Sequence, residues 1–213
     1  MNENLGLRLV WTPKNDNQEY VDLGLPSGTL WATCNLGASA PEEYGDYFDW
    51  GETEPKDYYG WSTYKWCHGS YNTLTKYNFN YNYSYNGFVD NKMELDPEDD
   101  AAYVNWGSSW RMPTKEQQDE LETNCTCTWT TRNGVNGQLL TGPNGNTIFL
   151  PASGAIYDDR LCLVGEFGNY WSRTLMPYVD YPHWACSLSF WDNFEAGGNE
   201  RECGTSIRAV RVP

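Results

Sequence analysis

Residues 40–92, APEEYGDYFDWGETEPKDYYGWSTYKWCHGSYNTLTKYNFNYNYSYNGFVDNK, carry few helix or strand signals and yet are crowded with Trp and Tyr. So many large rings would be wasted in a disordered segment, so this stretch is expected to be an ordered loop region. The whole chain shares the bias, with 11 Trp, 16 Tyr and 7 Phe among 213 residues and only short aliphatic runs. That length suits one domain and is ample to bury a core. The expectation is a loop-rich globule with an aromatic core.

On either side of that stretch, regular elements announce themselves by turn and cap chemistry. NLGLRLVW alternates as a strand does and stops at Thr12-Pro13. EYVDLGLPSGTLWATCNLG reads as two short strands, Tyr20 to Leu23 and Leu30 to Cys34, joined through Pro26-Ser27-Gly28. In ELDPEDDAAYVNWG, Asp96 is placed to cap a helix, with Pro97 at its first position and acids in the positive end of the dipole. In RMPTKEQQDELETN, Thr114 and Gln117 form a capping box that opens a helix to about Asn124. Asn-Gly and Pro-Asn-Gly signals then separate strands at Thr128 to Thr131, Gly137 to Thr141 and Thr147 to Pro151. The last strands are Asn169 to Thr174, Ala185 to Trp191 and Ser206 to Val212. The fold class is therefore α+β: antiparallel strands, two short helices and long ordered loops. One internal echo, Gly6 to Val10 against Gly204 to Val210, is read as two terminal strands that pair, or as the last strand of a preceding repeat.

Charge narrows the partners. The net charge is −15, and binding a phosphate backbone requires clustered Lys and Arg, so nucleic acid is not expected. The acidity is uneven, with −12 over residues 1–154 and −3 over residues 155–213. No apolar stretch approaches the ~20 residues of a membrane span, so no membrane insertion is expected. The start MNENLGLRLVW lacks the regions of a signal peptide, which leaves a chain that is intracellular, phage-borne or relieved of a leader. Seven cysteines, including the tight pair Cys125 and Cys127, and two histidines, His68 and His183, show no zinc-site spacing. They are expected to be mostly free and partly buried thiols, as in a reducing compartment.

Several long motifs carry a family resemblance. YVDLGLPSGTLWATCNLGASAPEEYGDYFDWGE, WSTYKW, LDPEDDAAYVNWGSSWRMPTKEQQDEL, GPNGNTIFLPASG, NYWSRTL and SIRAVR resemble the Fibrobacter succinogenes major paralogous domain common in Bacteroidetes, over residues 20–213. Trp110-Arg111-Met112-Pro113-Thr114 is also similar to the WRLPT element of formylglycine-generating-enzyme-like domains, which share the C-type lectin fold. The resemblance implies that fold in a single domain over 1–213, with a strand and linker at 1–19, a scaffold at 20–154 and a variable ligand-binding region at 155–213. It also implies kinship with variable proteins of diversity-generating retroelements, whose C-terminal stretch is rewritten while scaffold residues stay fixed.

The ending NYWSRTLMPYVDYPHWACSLSFWDNFEAGGNERECGTSIRAVRVP has the matching layout. Tyr170-Trp171-Ser172, Ala185, Leu188 and Phe190 look like scaffold. The passengers are Arg173, Met176, Tyr178, Tyr181, His183, Trp184, Ser187, Ser189, Trp191, Asn193, Glu195, Asn199, Glu200 and Glu202. Along Ala185 to Trp191 the period of two puts Cys186, Leu188 and Phe190 on a core face, and Ser187, Ser189 and Trp191 on a face able to meet a ligand. Tyr, Trp and Arg offer large contact area, and Ser and Asn adaptable hydrogen bonds, as in evolved paratopes. The expected function is non-enzymatic display of this surface to a protein or glycan receptor, on a phage virion or bacterial cell surface. An invariant adhesive repeat is the alternative.

Catalytic chemistry finds little footing. An oxygenase of the formylglycine-generating type needs paired reactive thiols. Cys186 falls on the core face of its strand, and Cys203, expected to be exposed, has Glu202 beside it to raise its pKa. A calcium-dependent sugar site needs convergent carboxylates and amides, and Glu54-Pro55-Lys56 and Trp191-Asp192-Asn193 stand in the wrong order with an unhelpful Lys. A nonstandard ion site would draw on Asp192, Asn193, Glu195 and Asp158 or Asp159. No catalytic residue, cofactor or metal is assigned. Arg111 is expected to be half-buried against carbonyls or a carboxylate and to order the loops around it.

Overall fold

Thr114 accepts a hydrogen bond from the Gln117 N–H at 3.2 Å, and the Gln117 side chain takes the Thr114 N–H at 2.9 Å. The capping box thus opens helix α2 (Lys115–Asn124), with the start and end read from the sequence. The computed structural model describes residues 18–211, apart from the side chains of 194–196. The N-terminal strand read over Leu5 to Val10, and its pairing, lie outside the described residues.

Helix α1 (Ala101–Trp106) departs from its sequence reading. Asp96 makes no capping hydrogen bond. Pro97–Asp99 closes a separate 3-10 turn, and the cap is Asp100, which accepts from the Tyr103 N–H at 3.0 Å. Asp100 also takes the Met112 N–H at 3.0 Å, so this one buried carboxylate ties the helix start to the segment before α2. Burial raises its pKa, and the backbone hydrogen bonds pull the other way.

The strands form small antiparallel sheets. β1 (Tyr20–Asp22), β2 (Leu30–Ala32) and β11 (Val210–Arg211) make one, in the order β1-β2-β11. β3 (Thr126–Arg132), β4 (Val135–Thr141) and β5 (Thr147–Pro151) make a meander. Its first turn is Asn133-Gly134, with φ of 49° and 84°, the paired positive values that an Asn-Gly hairpin supplies at low cost. β6 (Ala155–Tyr157) pairs with β7 (Arg160–Cys162), a hairpin the sequence reading missed. β8 (Gly168–Leu175), β9 (Trp184–Phe190) and β10 (Phe194–Glu200) form the sheet of the C-terminal region, with β9 at its centre. The terminal strand expected from Ser206 is shorter: Gly204, Thr205 and Ser206 make isolated bridges to Ile156, Phe48 and Tyr170 before β11 begins.

That last sheet lies between two apolar clusters. One gathers Tyr170, Leu188 and Phe190 with Leu121, Leu140, Leu150 and Trp31. The other gathers Trp171, Leu175 and Ala185 with Trp50, Trp106, Trp110, Tyr77 and Ile207. The residues named as scaffold, Tyr170, Trp171, Ser172, Ala185, Leu188 and Phe190, are all buried.

The aromatic loop region is ordered as expected, and its order comes from polar contacts to backbone as much as from ring packing. Trp50 Nε1 donates to the Ser172 carbonyl and Trp171 Nε1 to the Phe48 carbonyl, each at 2.8 Å. Tyr64 Oη donates to the Trp50 carbonyl at 2.9 Å. The Ser172 and Trp50 carbonyls gain a donor in this way, and the Phe48 carbonyl gains a second one beside the Thr205 N–H. Two fully buried arginines do the same on a larger scale. Arg208 donates to Asn35 Oδ1 and to the carbonyls of Ala32, Thr33 and Phe149. Arg201 donates to the carbonyls of Lys76, Tyr77 and Pro182. Arg111 is half-buried, donates to the carbonyls of Ser108 and Trp110, and stacks over Tyr103 with Cζ 4.1 Å from the ring centre, in line with its expected ordering role.

Candidate functional site

The segment between β8 and β9 crosses the surface as a loop locked from beneath. His183 lies at its inner end. The Tyr83 ring stacks on it with centroids 5.4 Å apart, Tyr71 tilts against it at 5.1 Å, and Trp61, Tyr181 and Trp184 complete a ring of aromatics at 6.2, 6.2 and 6.5 Å. Tyr83 Oη donates to the Asp180 carbonyl at 3.1 Å, and Asn80 Nδ2 donates to the Val179 carbonyl at 2.7 Å. The 176–182 loop is thereby fastened to the Tyr-rich loop of residues 71–85.

What remains outward is aromatic. Tyr178 is 62 %, Tyr181 49 %, Tyr81 71 % and Tyr71 45 % exposed, around Val179 at 65 %. Scattered exposed apolar residues are ordinary, but several large rings on two loops joined by hydrogen bonds form a surface able to bind. Tyr71, Tyr81 and Tyr83 are not among the residues singled out from the sequence. The repeated Tyr and Asn of YNTLTKYNFNYNYSYNG are the one signal there that points to them.

Three of the sequence-assigned positions are corrected. Ser187, Ser189 and His183 are buried, at 4 %, 9 % and 9 % exposure. The two serines do alternate with Cys186, Leu188 and Phe190, but their face shares its side of the sheet with Trp171, which belongs to the second apolar cluster. Their hydroxyls lie 3.4 Å apart, and Ser189 Oγ bonds Asn169 Oδ1 at 3.3 Å. His183 is covered by the rings around it. Burial lowers its pKa, with Glu200 opposing, so it is neutral near pH 7.

The other positions divide. Tyr178, Tyr181, Trp191 and Asn193 are exposed. Arg173, Met176, Trp184, Asn199, Glu200 and Glu202 are half-buried, and the Glu195 side chain lies outside the described residues. Arg173 pairs with Glu94, its Nε 3.2 Å from Oε2. Met176 reaches across to β10, where a side chain at Gly198 would collide with its Cε. Trp191 packs against Phe167 at 4.9 Å, and the Phe167 N–H donates to the carbonyl of Leu163, itself exposed.

Between the tyrosine surface and β6 lies an acidic corner. Trp61 Nε1 donates to Glu200 Oε2 at 3.4 Å, and Asn199 Nδ2 to Tyr157 Oη at 3.2 Å. Glu202 is pushed up to about 9, first by burial and then by the neighbouring Glu200 carboxylate, so it holds its proton at pH 7. Among the described residues no three of His, Cys, Asp and Glu gather as metal ligands. Asp158 instead accepts from Tyr58 Oη at 2.7 Å.

Cys186 and Cys203 are held away from reactivity. Cys203, expected at the surface, is buried at 2 % exposure because its segment bridges Phe48 and Ile156, and burial followed by Glu202 drives its pKa well up. Burial pushes Cys186 up to about 11. All seven cysteines are free. Among the described residues no helix is long and apolar enough to cross a membrane. Comparison with known proteins finds no family model, no curated protein and no solved structure that matches this chain.

Proposed function

We propose that this chain is a non-enzymatic binding protein: a C-type lectin scaffold, akin to the Fibrobacter succinogenes major paralogous domain and to retroelement variable proteins. It presents the 176–193 region to a protein or glycan receptor at a phage or bacterial surface. The observation that carries this reading is the tyrosine surface of Tyr178 and Tyr181, joined by Tyr71 and Tyr81 and held by the Tyr83 and Asn80 hydrogen bonds. Rigid exposed rings give contact area at low entropy cost, and a preorganised loop does not have to be ordered on binding. Cys186 and Cys203, the two buried thiols of the C-terminal region, are pushed up by burial and make poor nucleophiles, which favours binding over catalysis there.

The test is binding of the labelled chain to a glycan array and to intact bacterial cells, in parallel with a Tyr178→Ala/Tyr181→Ala double variant whose circular dichroism is unchanged. Saturable binding lost by at least about tenfold in the double variant supports the proposal. Equal binding by both, or none by either, sinks it.

A further inference from the structure

The loop Asp49-Trp50-Gly51-Glu52-Thr53-Glu54-Pro55-Lys56 brings three groups together that the binding surface does not use. The Lys56 ammonium contacts the Asp49 carboxyl group, and it donates to Glu52 Oε1 at 3.0 Å and to the Thr63 carbonyl at 3.3 Å. The Asp49 side chain is wholly shut from solvent, with Phe48, Trp50, Tyr59, Tyr64 and Cys203 all buried in the same region. Neither Asp49 oxygen accepts a hydrogen bond, although the lysine nitrogen touches the carboxyl. A structural ion pair of this burial would be expected to align N–H groups with the carboxylate lone pairs, since an unsatisfied buried charge is costly. The amine and the carboxyl group are held in contact within a site closed to water, which is the arrangement that amide formation needs.

The surroundings fit a condensation. Burial pushes Asp49 up to about 9, with Lys56 opposing and Glu52 adding to the rise, so the neutral acid is within reach in the pair. Glu52 lies in contact with the amine, is itself held by the Lys65 N–H at 2.8 Å, and is placed to carry a proton from nitrogen to the leaving oxygen. Holding amine and acid together replaces a bimolecular condensation, unfavourable in water, with an intramolecular one of high effective concentration.

We propose that Lys56 and Asp49 join in an isopeptide bond, formed by the folded chain itself with Glu52 as the proton carrier. Lys56 Nζ attacks Asp49 Cγ, the Nζ–Cγ bond forms and one Cγ–O bond breaks. Two protons from the amine side and the acid leave with that oxygen as water, and Nζ keeps one hydrogen as an amide. No oxidant or co-reactant is required. The product closes a ring over residues 49–56, a covalent staple in a loop-rich region where all the cysteines are free.

Mass spectrometry decides it. The intact, denatured full-length chain is expected about 18 Da below its sequence mass, the loss of one water. Trypsin should fail to cut after Lys56, and fragment spectra should place the link between residues 49 and 56. Lys56→Arg should restore the full mass, and Glu52→Gln should leave much of the chain unbonded while circular dichroism shows it folded. A wild-type chain at full sequence mass and cut after Lys56 overturns the proposal, as does a water loss that persists in Lys56→Arg. Should Lys56→Arg fail to fold, the wild-type fragment spectrum decides alone: a spectrum with the link supports the bond, and one without it overturns it.

Discussion

Arg201 Nη2 donates to the carbonyl of Tyr77 at 2.9 Å, across 124 residues of sequence. The same guanidinium takes the carbonyls of Lys76 and Pro182 and lies over Trp50 with Cζ 5.4 Å from the ring centre. One side chain therefore joins the aromatic loop region, the start of β9 and the end of β10. The surface loop at 176–182 inherits its position from that joint.

Arg201→Lys should destabilise the chain by about 3 kcal/mol or more, read from urea denaturation. A lysine cannot present the planar fork, and buried carbonyls would be left without donors. A change below about 1 kcal/mol would remove Arg201 from this role.

Tyr178→Ala should alter stability by no more than about 0.5 kcal/mol, because most of its ring is already in water. Tyr83→Phe should cost about 1 kcal/mol, since its hydroxyl holds the Asp180 carbonyl. Thermal unfolding of the two variants side by side separates the displayed ring from the supporting one.

Ser187 and Ser189 should refuse large residues. Ser187→Tyr or Ser189→Tyr should cost about 1–3 kcal/mol or prevent folding, as overpacking does, whereas Trp191 and Asn193 should accept most residues. A display library scored for surface expression, with those four codons randomised, reads both results together.

Glu202→Gln should stabilise the chain above pH 7. Its folded pKa, about 9, stands above the usual carboxylate value. Between roughly pH 4.5 and 9 the folded state therefore holds a proton that the unfolded state has lost, and stability falls as pH rises through that window. Gln mimics the protonated acid without that loss, so the variant should gain roughly 1–3 kcal/mol at pH 8 and show a flatter pH dependence. An equal slope in both proteins would deny Glu202 the retained proton.

Local chemistry is readable in the sequence where it is self-contained. The Thr114–Gln117 capping box and the Asn133-Gly134 turn need only their neighbours, so α2 and the β3–β4 hairpin emerge where their residues place them. β10 is illegible because FEAGGNE lacks β-branched residues. It is a strand through its pairing with β9, where Gly197 and Gly198 leave room for Ser189 and Met176. The burial of Ser187, Ser189 and His183 depends on rings and aliphatics from far along the chain, Trp50 and Trp110 in one cluster and Tyr71 and Tyr83 around the histidine. Alternation along one strand sorts side chains onto two faces, but it carries no information about what covers the second face.

The proposed function requires that an exposed subset of the C-terminal region varies on a fixed frame to meet a receptor. Deep sequencing of this gene's 3′ part across its source population, with a search of neighbouring DNA for a near-copy, tests that requirement. Substitutions are expected at Tyr178, Tyr181, Trp191 and Asn193, confined to positions where the copy has adenine, with Trp171, Leu188, Phe190 and Arg201 unchanged. A uniform segment with no copy nearby would contradict the proposal, and would leave an invariant adhesive domain in its place.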